Sequence, residues 1–125
     1  MSSARYAMQK LRNRRNKWPR GTLATYGPND RIASKIVVGI ITREGASPAA
    51  MRTWIATEGD IRYDETVLAE VLAFLEQHDV RCLVTTDRIL GCPHQEGIDY
   101  HGEHCPDPAC AFWVGVDRFT GARVR

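Results

Sequence analysis

Cysteine and histidine are scarce in this chain, and they are crowded. Of four cysteines and four histidines, three of each fall in the stretch GCPHQEGIDYHGEHCPDPAC, Gly91 to Cys110. Thiolates and imidazoles that share a zinc ion must converge to about 2.0–2.3 Å from it, usually as a tetrahedron. Short spacings make convergence easy, because one turn can present two ligands. Cys92-Pro93-His94 supplies one such pair, and Cys105 with Cys110, five positions apart, supplies another. Prolines 93, 106 and 108 and glycines 91, 97 and 102 shape the turns between them. The spacing is that of a zinc-knuckle-like loop. The expected ligands are Cys92, His94, Cys105 and Cys110, with His101 and His104 as alternates or as hydrogen-bonding partners of the ligands. A disulfide within the segment, an iron–sulfur site and a set of inert thiols stay open beside it. A reducing compartment weighs against the disulfide, and the want of a fourth thiolate weighs against the cluster. Cys82 lies in an apolar run and is expected to be a core residue.

Four protein ligands close the coordination shell and suit a structural ion, whereas a catalytic zinc keeps a place for water. The expectation is therefore a non-enzymatic zinc protein. The alternative is a small zinc hydrolase. The cluster follows VTTDR, Val84 to Arg88, and ligands in α/β proteins bind beyond the carboxyl ends of strands. Thr85, Thr86 and Asp87 would stand there, and Glu96 or Asp87 could serve as the base. His94-Gln95-Glu96 also mimics the H-x-E of zinc deaminases, but Cys105 follows too soon for their P-C-x-x-C pair. Neither a phosphate-binding G-x-x-x-x-G-K-[ST] loop nor G-x-S-x-G is present.

Two stretches, ATYGPNDRIASKIVVGII and TDRILGCPHQEGIDY with its following GEHCPDPACAFW, resemble a family of short bacterial proteins of unassigned function. In that family a GCPHEEGIDYP-type stretch precedes a cysteine pair and an aromatic-rich strand. The resemblance covers most of residues 22–120 and implies metal binding, with no activity attached. Its cysteine pair is tighter than the Cys105–Cys110 spacing here.

What must position such a loop is an ordinary small domain. The chain has 125 residues, 43% hydrophobic and 26% charged, which is enough for one core. KIVVGIIT reads as a central strand, and LATY before the Gly27-Pro28-Asn29-Asp30 turn as a short edge strand. Ser47, Pro48 and Gly59 read as the start and stop of a short helix over PAAMRTWIATE. Asp64 caps ETVLAEVLAFLEQH, whose Val67, Leu68, Val71, Leu72 and Leu75 recur at helical spacing. VRCLVTT is the next strand, and AFWVGVDRF follows the cysteine-rich loop as another. The expected class is α/β: a small sheet with a β-α-α-β crossover unit, its two apolar runs paired in parallel, then the zinc-knuckle-like loop and a strand. Residues 21–125 form the domain, with the metal-binding segment at 91–112.

Residues 1–20 stand apart. They hold Arg5, Lys10, Arg12, Arg14, Arg15, Lys17 and Arg20 and no acid, a charge of +7. The whole chain carries +2, so the body carries +2 − 7 = −5. Such an arm is either a solubilising, disordered tail or a docking device for an anionic partner. Basic side chains neutralise phosphates and an aromatic can stack on bases. The arm with Trp18 is therefore the expected contact to nucleic acid or a ribonucleoprotein, and a protein-interaction adaptor is the remaining alternative. An organelle transit peptide is disfavoured, since no amphipathic helix is obvious before Trp18-Pro19. No apolar run nears the ~18 residues of a membrane span, and no secretory h-region opens the chain. A cytoplasmic location is expected.

Overall fold

The computed structural model describes residues 3–86 and 88–91. Within them lie two helices, α1 (Ser3–Arg12) and α2 (Glu65–Gln77), and four strands. The strands are β1 (Arg20–Tyr26), β2 (Lys35–Ile41), β3 (Ala50–Ile55) and β4 (Cys82–Thr85), with a 3-10 turn at Ile61–Tyr63 before α2. The fold is mixed α/β. Among the described residues no helix is long and apolar enough to cross a membrane. The zinc-knuckle-like loop and the strand expected after it lie outside the described residues.

The sheet order is β3-β2-β1-β4. β2 pairs antiparallel with both β1 and β3, and β4 runs parallel to β1. Side chains alternate across the pleat, so one face gathers Leu23, Ile36, Val38, Ile40, Trp54 and Leu83. Leu68, Val71, Phe74 and Leu75 of α2 complete that core, together with Ala4 and Met8 of α1. The helix α2 begins where its sequence says it should. Asp64 accepts a hydrogen bond from the Val67 N–H at 3.1 Å, satisfying a donor that has no partner within the helix. It ends at Asp79, whose φ of 55° is left-handed. Gly21 lets the helix approach the sheet: a Cβ there would stand 2.8 Å from Cδ2 of Leu75.

Two expectations are corrected. Residues 48–58 do not form a helix, because Ala50–Ile55 is a strand. Ser47, Pro48 and Gly59 are genuine local signals, but the open edge of β2 has backbone groups to satisfy. The Ala49 N–H reaches the Ile40 carbonyl at 2.8 Å, and the ladder continues from there to Lys35 opposite Ile55. Gly59 does take a left-handed φ of 68°, in the turn after β3 rather than at a helix end. Trp54 points into the core from this strand, while Met51 and Ile55 are exposed. Its indole N–H donates to Glu70 at 3.1 Å, and its ring meets Phe74 edge-on at 6.0 Å between centroids.

The β-α-α-β crossover unit is the second correction. The strands IVVGII and VRCLVTT do not pair, because β1 lies between them. The strand expected at an edge is thus central and runs seven residues. Its turn into β2 is fixed by Asn29, whose side-chain oxygen accepts from the N–H groups of Arg31 and Ile32 at 2.8 and 3.0 Å. That local turn makes β1 and β2 a hairpin and leaves only the far edge of β1 for β4. The arm, open between a tail and a docking device in the sequence, has a defined first part. Residues 3–12 are helical, with Ala4 and Met8 buried and Leu11 packed against the core.

Candidate polyanion-binding site

The arm is built in two pieces. α1 carries its apolar side, Ala4, Met8 and Leu11, onto α2 and β4. The chain then turns through Arg14–Asn16 and enters β1 at Arg20. Asn16 sits at φ 55°, a conformation that asparagine tolerates better than most residues. The turn is tied to the sheet by Cys82, whose thiol donates to the Arg14 carbonyl at 3.2 Å. Cys82 is a buried, free cysteine, as its apolar run implies. Its hydrogen bond to the arm was not legible in sequence, because the partners are 68 positions apart.

This turn gathers basic residues that the sequence scatters. Arg12, Arg14, Arg15 and Arg20 line one depression of about 450 Å³, with Asn16 and the β4 stretch Cys82 to Thr85 as its remaining described walls. None of these lining residues is acidic. Arg20 lies over the Trp18 ring, its guanidinium carbon 4.2 Å from the centroid. That contact places the guanidinium over one face of the indole, so Trp18 positions Arg20 there rather than offering that face to a base. The Arg20 Nε–H is buried and has no hydrogen-bond partner. A buried donor left in this state costs about 1–3 kcal/mol unless a ligand or water meets it.

The other basic residues of the arm are placed elsewhere. Arg5 turns toward the 3-10 turn, donating to the Arg62 carbonyl at 3.2 Å and lying 5.2 Å from the Tyr63 centroid. Lys10 covers Tyr6 at 4.8 Å. Lys17 is exposed and does not line the depression. Beside Arg5, Arg62 is ion-paired with Asp60 at 2.6 Å. The hydrogen bond from Arg62 holds the Asp60 carboxyl below the usual carboxylate range. The same bond raises Arg62 above its ordinary value. Arg62 is thus neutralised locally, and no described wall of the arginine depression is a carboxylate.

The metal residues Cys92, His94, Cys105 and Cys110, the alternates His101 and His104, and the base candidates Asp87 and Glu96 lie outside the described residues. Among the described residues no three Cys, His, Asp or Glu side chains converge as a metal site requires. What is described is the approach to that segment. After β4 the chain keeps to β1, the Thr86 N–H bonding to the Leu23 carbonyl and Leu90 to that of Thr25. The Gly27 N–H then bonds to Gly91 at 2.8 Å. Gly91, the residue before Cys92, is therefore fixed beside the Gly27 turn, beyond the carboxyl end of β1. Neither a protein-family model, nor a curated protein, nor a solved structure matches this chain.

Proposed function

We propose that this chain is a non-enzymatic protein that docks on the phosphate backbone of nucleic acid, free or within a ribonucleoprotein, through its arginine-lined depression. The observation that supports this most is the gathering of Arg12, Arg14, Arg15 and Arg20 around one depression with no acidic described wall. Arginine suits this task because its planar fork of donors meets phosphate oxygens in pairs. The body, at −5, repels phosphate, so association is steered to the arm. Contacts to the phosphate backbone position a protein without reading sequence, so the expected binding tolerates many sequences.

The test is a salt series. Fluorescence anisotropy of a labelled single-stranded RNA should give a log affinity that falls linearly with log salt. Three to four neutralised phosphates at about 0.7 each predict a slope of roughly −2 to −3. A slope near zero, or no binding at low salt, removes the proposal. In the same reading the zinc ligands are Cys92, His94, Cys105 and Cys110, on their types and spacing alone. Protein purified without added zinc should then hold about one zinc per chain, and Cys92→Ser should lose it. Metal analysis checks this, and a metal-free native protein excludes it. The hydrolase alternative takes Glu96 or Asp87 as its base, and both lie outside the described residues.

A further inference from the structure

A second cavity, of about 340 Å³, opens between α1, the start of α2 and the carboxyl ends of the parallel neighbours β1 and β4. Its size lies within the range of small-ligand sites. Its lining is divided. Met8, Leu23 and Leu68 make an apolar floor, and Arg5 and Arg12 supply positive charge. No described lining residue is acidic. Thr86 also lines it, and its hydroxyl is buried with no hydrogen-bond partner. A buried hydroxyl in that state calls for a ligand atom or a water. The place is also where open sheets bind ligands, past the carboxyl ends of adjacent parallel strands.

We propose that this cavity binds a small organic anion: one carboxylate or phosphate on an aromatic or branched apolar body. The body lies on Met8, Leu23 and Leu68, while the anion meets the arginines. Arg5 gives an N–H to the Arg62 carbonyl at 3.2 Å, which holds its side chain at the cavity wall. The Thr86 hydroxyl completes the polar end. This site is distinct from the depression that would hold nucleic acid, although Arg12 borders both. Arg5 and Thr86 border only this one, so substitutions there separate the two readings.

The experiment is calorimetric titration of the full chain with phenyl phosphate and with phenylacetate. Inorganic phosphate and benzyl alcohol serve as the two halves of the ligand. One of the two joined anions should bind once per chain with a Kd of about 0.1–1 mM, as expected for so few atoms. Each half alone should bind at least about tenfold more weakly. Whichever anion binds tighter names the head group. Thr86→Val, which keeps the side chain's shape, should weaken binding about tenfold, and Arg5→Gln by a similar factor. Circular dichroism establishes which variants are folded, and weaker binding in either folded variant supports the site. Joined anions that bind no better than their halves would overturn it, as would unchanged affinity in both variants.

Discussion

Deleting residues 1–12 should leave a domain that barely folds, and Met8→Ala alone should cost about 2–3 kcal/mol. The basic arm is thus part of the fold and not an appendage. Met8 and Ala4 are buried in the same cluster as Leu68, Val71 and Leu83. Truncating Met8 removes buried methylenes and leaves a void that α1 and β4 fill only in part. A small domain has about 5–15 kcal/mol to lose, so losing the whole helix consumes a large share of it. Urea denaturation checks this. Met8→Ala should lower the midpoint at constant slope, because the surface exposed on unfolding hardly changes. An unchanged midpoint would mean that α1 is undocked in solution. The result also governs how the binding site is tested. Removing residues 1–20 takes away β1's first residue and the Arg14 carbonyl that Cys82 bonds, so loss of binding after truncation would say nothing about charge.

α2 was legible because several signals agree on it. Asp64 caps it, and Val67, Leu68, Val71, Leu72 and Leu75 repeat at helical spacing, all of them buried or packed on the core. β2 and β4 were legible as apolar runs of strand length. β3 was not, since Ser47-Pro48 and Gly59 speak for a helix and only the open edge of β2 speaks against it. That edge is a tertiary fact. The full length and central place of β1 were not legible, since Gly21 and Ala24 are poor strand residues by type. The smallness of Gly21 has a cause outside the strand: α2 packs so closely over it that a side chain would meet Leu75.

The arm shows the same division. Its charge was legible from composition. The spacing of Ala4, Met8 and Leu11 at i, i+4 and i+7 is equally present in the sequence, but the seven cations around it dominate the composition. Which four arginines converge was not available. It depends on a turn at Asn16 and on a hydrogen bond to a cysteine in β4. Trp18 looked like a stacking platform for bases, and the structure gives one of its faces to Arg20.

Replacing Arg12, Arg14, Arg15 and Arg20 together by serine should lower affinity for single-stranded RNA about 10²–10³-fold at 0.1 M salt. Each neutralised phosphate contributes about 0.7 log units at that salt through released counterions, and four contribute roughly 2.8. The salt slope should flatten toward zero in the same variant. Arg12, Arg14 and Arg15 are exposed, so their loss should leave stability nearly intact, as surface substitutions usually do. Arg20 is half-buried on Trp18 and is best changed singly as well, with the melting curve recorded beside the affinity. The decisive comparison is with Arg43→Ser, which removes an equal charge from the exposed β2–β3 loop. If the depression gathers the phosphates, Arg43→Ser should change affinity by less than about twofold, while each arm arginine removes about fivefold. Equal losses per charge at both places would mean that the chain attracts polyanions by diffuse charge and that the convergence of the four arginines has no bearing on binding.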